Sequence, residues 1–291
     1  MDQALAHWGR LTIVGPLSGG NRNTVLEVRR GRQRLVARLS RRPPASLDWE
    51  LALLDHLGRQ GVRVPAIIPA LDGRRHVDGV VVQTWLDGDP PRPDDWPAVA
   101  GTIRKVHTAT AGWPQRPGFA ATSELLTAQS GGDVDLSVMP AEAVARCRAA
   151  WQGLTGRPVA VVHGDLSPSN VRIAASVGLL DWDEARVDCT DLDLADLPDA
   201  VAAQTGLPPE RLRAARLAAT AWEAASGWTI EAAYARRQLA LLLSADLGND
   251  SPCPHSATFY PPNGRRTSQL LAGSTGEAGG GAGRRAGKDR G

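Results

Sequence analysis

Residues 163–170 constrain this chain more than any other segment. They read His-Gly-Asp-Leu-Ser-Pro-Ser-Asn, and Asp181-Trp182 begins eleven residues after Asn170. The apolar run at 158–162 predicts a short buried strand that ends at His163, and the runs at 171–173 and 177–180 predict a hairpin that returns to Asp181. We expect this order of elements to bring Asp165, Asn170 and Asp181 to one end of a small sheet.

These three side chains are typical of phosphoryl transfer. One carboxylate can orient a hydroxyl group and accept its proton, while an amide oxygen and a second carboxylate hold Mg²⁺ on nucleotide phosphates. The alternative interpretation is a polar turn followed by a solvated strand end. The apolar flanks and the fixed spacing of the polar residues favour the first interpretation.

The constellation resembles the aminoglycoside phosphotransferase and choline kinase family, over about Leu11 to Asp193 and most closely over 163–193. The resemblance implies an α+β, two-lobed protein-kinase-like fold with a small antiparallel β-rich N-terminal lobe and a mainly helical C-terminal lobe. We expect a nucleotide-binding lobe at 1–86 and a catalytic and acceptor-binding lobe at 87–248. The Pro-rich and then Gly/Arg-rich residues 249–291 are expected to form a disordered tail.

The same segment argues against a regulated protein kinase. In those enzymes Arg follows the loop His, and the metal-binding Asp precedes Phe-Gly. Here Gly164 follows His163, Trp182-Asp183 follows Asp181, and no Ala-Pro-Glu comes after them. We therefore expect a site that is assembled without an activating modification.

Composition excludes several other classes of protein. The net charge of +2 gives no general attraction to nucleic acid or membranes. The sequence has neither a signal-peptide pattern nor an apolar run of membrane-spanning length. The three cysteines, Cys147, Cys189 and Cys253, have no paired spacing, which indicates reduced thiols. Together these features predict a cytoplasmic protein with no nucleic-acid or membrane partner.

Lysine is almost absent, which limits how a nucleotide can be held. The only lysines are Lys105 and Lys288, so a Walker A loop, which needs Gly-Lys-Ser/Thr, is excluded. The kinase fold normally places a Lys on its third strand, and the resemblance puts Arg38 at that position. A guanidinium is permanently charged and can bind phosphate oxygens through two N–H groups.

A helix is predicted from a cap at Ser46 to about Gln60, with leucines on its inward face. Glu50 lies on that face and needs a partner, for which Arg38 is the natural candidate. The alternative is a solvated Glu50 at the rim.

The resemblance also assigns a Gly-rich phosphate loop between the first two strands and an adenine-contacting hinge. These nucleotide-binding residues are Ser18, Gly19, Gly20 and Asn21 in the loop and Gln83, Thr84 and Trp85 in the hinge. We expect Trp85 to act mainly through packing.

By this resemblance the chain would transfer the γ-phosphoryl group of ATP or GTP to a hydroxyl of a small molecule. Asp165 would be the catalytic residue, and Asn170 and Asp181 would bind Mg²⁺. His163 would brace the loop, and Asp193 would anchor it structurally. A nucleotide-binding pseudokinase that acts as a scaffold is the alternative, because Arg replaces Lys and the helical lobe is short.

The acceptor is less constrained by the sequence. Acidic residues crowd the stretch from Asp181 to Asp199, where Arg186 is the single base. Such a concentration favours a cationic acceptor, for example an aminoglycoside, a peptide antibiotic or an amino alcohol. The alternative is that these acids are helix caps or a solvated face, which leaves a neutral alcohol, sugar or macrolide. Antibiotic resistance and metabolism both stay open as biological roles.

Overall fold

The computed structural model describes residues 1–17 and 23–245. The predicted phosphate loop, Ser18 to Asn21, and the predicted tail at 249–291 lie outside these residues. The N-terminal part is a five-stranded sheet in the order β1-β2-β3-β5-β4, with every neighbouring pair antiparallel. Its strands are β1 (Thr12–Pro16), β2 (Thr24–Arg30), β3 (Gln33–Leu39), β4 (Ile67–Ile68) and β5 (Val80–Thr84). A short helix α1 (Asp2–Leu5) precedes the sheet, and α2 (Pro44–Arg59) connects β3 to β4.

The alternation of side chains along β3 decides where Arg38 lies. Leu35 and Ala37 are fully buried on one face of the sheet, in a cluster with Trp8. Arg38 is next in sequence and therefore points to the opposite face, where its strand partner is Val81. Val81 packs against Leu47 and Leu51 of α2, so Arg38 lies on the face that α2 covers.

The start of α2 differs from the prediction. The helix begins at Pro44, and Pro43 occupies the cap position without a side-chain cap. Proline suits the first turn of a helix, since its missing N–H is not needed there. Ser46 is therefore inside the helix and does not cap it.

The C-terminal part is mainly helical, as predicted. Its helices are α3 (Trp96–Ala109), α4 (Ala141–Gln152), α5 (Asp191–Ala195), α6 (Asp199–Ala202), α7 (Pro209–Ser226) and α8 (Ala232–Ser244). Helices α5 and α6 are separate, because Pro198 lacks an N–H and stands at the cap of α6. No helix in the described ranges is both long and apolar enough to cross a membrane.

The C-terminal part also contains short strand pairs. The strands are β6 (Ser130–Gly131), β7 (Val134–Asp135), β8 (Val159–Val162), β9 (Val171–Ile173), β10 (Val177–Leu179) and β11 (Arg186–Cys189). The predicted hairpin is β9–β10, but β8 pairs with β11 and not with that hairpin. The expectation of one small sheet was wrong because β11, with its charged Arg186 and Asp188, does not look like a buried strand in the sequence.

One apolar core joins the two parts of the fold. Leu54 and Leu57 of α2 belong to the same buried cluster as Ile103 of α3 and Leu179 of β10. Helix α2 therefore shares an apolar core with the element that precedes Asp181. The fold is the two-lobed, protein-kinase-like α+β architecture that the sequence predicted.

Candidate active site

Asp165 and Asn170 are joined by two hydrogen bonds. Asp165 follows the end of β8 and is half-buried, and Asn170 ends a single 3₁₀ turn, Pro168–Asn170. The Asn170 Nδ2 donates to the backbone carbonyl of Asp165 and to its Oδ2, both at 3.0 Å. This pairing identifies the amide nitrogen by its acceptors and leaves the amide oxygen for a different partner, such as a cation.

Asp193 holds the backbone at the start of the 163–170 loop through hydrogen bonds. Its carboxylate is fully buried and accepts from the N–H groups of His163 at 2.9 Å and Gly164 at 3.1 Å. Nε2 of His107 lies 2.9 Å from the same carboxylate. Burial alone would raise the pKa of Asp193, but the hydrogen bond and charge of His107, together with His163, hold this pKa below its ordinary value. Asp193 and His107 are thus structural supports of the loop.

His163 connects the loop to the segment that carries Asp181. Its Nε2 is 2.8 Å from the carbonyl of Leu180, and its Nδ1 accepts from the N–H of Asp165 at 3.4 Å. These contacts require the proton on Nε2. The ring also packs on Trp182, with the centroids 4.7 Å apart. His163 therefore braces the site, which agrees with the sequence-based expectation.

Gly164 permits the sharp turn between His163 and Asp165. Its φ is +81°, and a Cβ at this position would lie 3.1 Å from both the Glu184 carbonyl oxygen and Nη1 of Arg186. A larger residue would be strained and crowded here. The Gly at the position where regulated protein kinases carry Arg is thus required by local packing.

Asp181 occupies an unusual backbone conformation. Its φ is +56°, in the left-handed region that non-glycine residues rarely adopt, and strain of this kind is frequent at functional sites. The neighbouring Leu180 N–H donates to the carbonyl of Asn170 at 2.8 Å, which ties the two candidate metal-binding residues together.

The electrostatics of Asp181 fit a cation site. Asp181 is exposed as a residue, but desolvation by the surrounding protein raises the pKa of its carboxyl. Arg38 lowers this pKa, whereas the charges of Asp183 and Asp165 raise it. In the described residues no three His, Cys, Asp or Glu side chains cluster as a closed metal centre. An Asn and an Asp leave the remaining positions of a Mg²⁺ ion for phosphate and water, which is how Mg²⁺ is usually held.

Arg38 and Glu50 form the ion pair that the sequence predicted. Nη2 of Arg38 bonds to Oε1 of Glu50, and Nη1 lies 3.5 Å from Oδ1 of Asp183. Burial lowers the pKa of Arg38, but Glu50, Asp183 and Asp181 more than offset this effect and raise it. Nη1 makes no hydrogen bond within the described part of the chain. A buried donor of this kind is suited to an anionic ligand such as a phosphate.

Two of the three predicted hinge residues, Gln83 and Thr84, are engaged in the sheet. Gln83 pairs with Val36 of β3 and with Ile67 of β4. The Thr84 N–H donates to the Ala66 carbonyl at 2.9 Å, so it is not available to a nucleobase. Trp85 packs beneath Arg34, whose guanidinium carbon is 3.6 Å from the ring centroid. Trp85 follows the end of β5, and its side chain packs as expected.

Two arginines near the site were not found by sequence reasoning. Arg42 lies in the connection between β3 and α2 and bonds to Asp183, with Nη2 2.6 Å from Oδ2. Arg116 lies between α3 and α4 and bonds to Glu50, with Nη2 2.9 Å from Oε2. Neither residue stands in a periodic or motif-like pattern, so the sequence carries no local signal for either.

The acidic stretch after Asp181 is not an open anionic surface, so the basis for preferring a cationic acceptor was wrong. Asp188 accepts from Arg186 Nε at 3.0 Å and from the Thr122 hydroxyl at 2.7 Å. Asp191 pairs with Arg211 at 2.8 Å. The buried acids of this stretch are Asp183, Glu184, Asp188, Asp191, Asp193 and Asp196. They hold the fold together, and only the margins of the stretch are open to solvent.

Solved small-molecule kinases share this fold. A microcompartment-associated aminopropanol kinase is 19% identical, with 83% of this chain and 95% of that chain covered and a TM-score of 0.58. The aminoglycoside phosphotransferase APH(4)-Ia, in a complex with ADP and hygromycin B, is 15% identical over 85% of this chain and 98% of that one, with a TM-score of 0.57. An amicoumacin kinase bound to AMP-PNP and Ca²⁺ is 16% identical over 82% and 83% of the two chains, with a TM-score of 0.52. At these identities the likeness shows the fold.

No curated protein matches the sequence. The model of one protein family does match it, over residues 13–228, which include the Arg38–Glu50 pair, the Asp165 loop and Asp181. The chain therefore belongs to this family, the phosphotransferase enzyme family abbreviated APH.

Proposed function

We propose that the protein transfers the γ-phosphoryl group of ATP or GTP to a hydroxyl group of a small molecule. The observation that carries this proposal is the pairing of Asn170 with Asp165 beside Asp181. Asn170 bonds to the carboxylate of Asp165, and its carbonyl accepts from the N–H of Leu180, which precedes Asp181. These bonds connect the three residues on a phosphotransferase fold.

Asp165 would orient the acceptor hydroxyl and accept its proton as the new O–P bond forms and the bond to the leaving ADP or GDP oxygen breaks. The amide nitrogen of Asn170 donates to the backbone carbonyl and to Oδ2 of Asp165. These bonds limit the positions that Oδ1 of Asp165 can take. In a loose transition state this positioning contributes more than basicity does.

Asn170 and Asp181 would hold Mg²⁺, which supplies charge neutralisation on the transferred phosphoryl group when it is bound. Arg38 would contact the non-transferred phosphates through Nη1, which makes no hydrogen bond within the described residues and lies 3.5 Å from Oδ1 of Asp183. Glu50 orients the other side of the same guanidinium. The residues Ser18 to Asn21 remain candidates for covering the phosphates.

The acceptor class is proposed from relatives alone. Solved structures of the same fold include kinases named for aminopropanol and for aminoglycosides, both of which carry amino groups beside hydroxyls. Amine-bearing alcohols are therefore the first acceptors to test, followed by peptide antibiotics, macrolides and sugars.

The test is nucleoside diphosphate release from Mg-ATP and Mg-GTP with pooled acceptors, with wild type and Asp165→Ala measured in parallel. We expect release above background in one pool, and only from the wild type. Asp165-independent release would contradict the catalytic assignment. Mg-nucleotide binding without turnover in any pool would favour the alternative, a nucleotide-binding pseudokinase that acts as a scaffold.

A further inference from the structure

Arg116 is a fully enclosed cation near the site. It is 0% exposed and lies in the irregular segment between α3 and α4, far in sequence from every predicted site residue. Burying a guanidinium is costly unless each N–H group finds an acceptor. The position of these acceptors shows what Arg116 connects.

One side of the guanidinium bonds to helix α2. Nε donates to the Ser46 hydroxyl at 2.8 Å, and Nη2 donates to Oε2 of Glu50 at 2.9 Å. Oε1 of the same carboxylate is the partner of Arg38. Glu50 therefore stands between two arginines, one from the sheet and one from the helical part of the chain.

The other side bonds to the backbone just after Asp181. Nη1 lies 3.1 Å from the Trp182 carbonyl, 3.0 Å from that of Asp183 and 3.1 Å from that of Ala185. Three carbonyls that converge on one cation fix the path of this segment, and with it the strained backbone of Asp181 that precedes it.

The surroundings of Arg116 lower the pKa of its guanidinium overall. Burial lowers its pKa and Arg42 adds to that effect, whereas Glu50 and Asp183 raise it. A guanidinium keeps its proton under such conditions. The cation therefore remains available as a permanent link between α2 and the segment after Asp181.

Building on the proposed function, we propose that Arg116 is a positioning residue that locks Glu50 and the Asp181 segment into their working arrangement. Nucleotide binding requires Arg38, which Glu50 orients, together with Asp181, whose neighbours Arg116 holds. In regulated protein kinases the corresponding elements are brought together by activation-loop phosphorylation. Here a buried side chain, already present in the fold, makes the connection.

The test compares Arg116→Lys and Arg116→Ala with Arg148→Lys and Arg148→Ala. Arg148 is a matched control, because it also donates to loop carbonyls, those of Leu125 at 3.1 Å and Ala128 at 3.0 Å, but has no contact with Glu50 or the Asp181 segment. Binding of Mg-ATP is measured by titration calorimetry without an acceptor, and folding is checked by circular dichroism and melting temperature.

We expect the Arg116 variants to weaken Mg-ATP binding by about tenfold or more, as removal of a residue that supports a binding group typically does. Turnover should fall by roughly 100-fold, which a displacement of about 1 Å can cause. Hydrogen exchange should rise at 44–59 and 182–186. Millimolar guanidinium should partly restore the binding lost in Arg116→Ala but should leave both Arg148→Ala and Asp165→Ala unchanged.

Two outcomes would separate this inference from the proposed function. If the wild type fails to bind Mg-nucleotide, the proposed function is wrong. If the wild type binds but folded Arg116→Lys binds equally well, or the Arg148 variants lose binding to the same extent, Arg116 is only a structural residue. Arg116→Lys keeps a cation in place, so the comparison remains decisive even if Arg116→Ala does not fold.

Discussion

Arg42 and Asp133 form a two-point ion pair between the two lobes, with Nη1 2.6 Å from Oδ1 and Nη2 2.9 Å from Oδ2. Arg42 comes from the connection that leads into α2, and Asp133 lies between β6 and β7. The same guanidinium reaches Asp183, two residues after Asp181. Arg42 therefore links the connection into α2 with two separate segments of the C-terminal part of the chain.

Arg42→Gln is expected to destabilise the fold more than Asp133→Asn does. Loss of the arginine removes the two-point partner of Asp133 and one of the cations beside Asp183, which costs about 3 kcal/mol for a largely buried pair. Asp133→Asn leaves Arg42 with Asp183 and should cost about 1 kcal/mol. Urea unfolding of both single variants and the double variant measures the coupling.

Arg216→Gln is the control for this comparison, because Arg216 pairs with the more exposed Asp199. It should cost at most about 1 kcal/mol. Equal effects of Arg42→Gln and Arg216→Gln would mean that the contact between the lobes adds little to stability.

Asp183 makes the stability of the fold sensitive to acid. Burial alone would raise the pKa of Asp183, but Arg42, with Arg38 and Arg116, lowers it from 3.8 to about 2. A carboxyl with a lowered pKa stabilises the fold above its unfolded-state pKa and loses that contribution as the pH falls toward the folded-state value. The free energy of unfolding should thus fall between about pH 4 and pH 2, by on the order of 2 kcal/mol from this group.

Asp183→Asn should be less stable at neutral pH and show a flatter dependence in that acid window. Denaturant unfolding at a series of pH values measures both effects. The exposed Asp94→Asn controls for the loss of one charge. An acid dependence of Asp183→Asn as steep as that of the wild type would show that other carboxyls control acid unfolding.

Asp165→Asn separates catalysis from binding. The substitution preserves size and an acceptor oxygen for Asn170 but removes the group that accepts the proton. We expect turnover to fall by roughly 10²- to 10⁴-fold, with Mg-nucleotide affinity close to that of the wild type. Steady-state rates and calorimetry measure the two quantities. Asp135→Asn, which alters an exposed carboxylate that caps a turn, should change neither.

Local sequence patterns predicted the parts of the site that depend on periodicity. The leucine face of α2 turned Glu50 inward, the family resemblance placed Arg38 on the third strand, and the ion pair followed from the need to neutralise an inward carboxylate. The apolar runs on either side of 163–170 likewise predicted β8 and the hairpin. These features are local, so the sequence contains them.

Contacts between distant segments were not predictable in the same way. Arg116 bonds to residues about 66 positions away on either side, and no spacing rule connects them. The acids after Asp181 were misread for the same reason, since their partners Arg42, Thr122 and Arg211 come from three separate elements. The acids that seem from the sequence to form an anionic surface are buried in the fold, where Arg42, Thr122 and Arg211 bond to them.

Arg38→Lys and Arg38→Met test whether the third-strand cation binds phosphate. Arg38 bonds to Glu50 and lies 3.5 Å from Asp183 with its second nitrogen, so it serves two carboxylates at once. A lysine at this position, as in most kinase folds, keeps the charge but presents one compact ammonium. We expect KM for the nucleotide to rise by up to about tenfold in Arg38→Lys and by roughly 100-fold in Arg38→Met.

The effect of Arg38→Met on folding should be smaller than its effect on binding, since Arg116 still neutralises Glu50 through Oε2. Melting temperature and nucleotide affinity are therefore measured on the same samples. Arg34→Met is the control, because Arg34 lies on the same strand but pairs with Glu27 and packs on Trp85. Unchanged nucleotide affinity in a folded Arg38→Met would show that a different residue binds the phosphates, whereas a selective loss relative to Arg34→Met would support the assignment of Arg38.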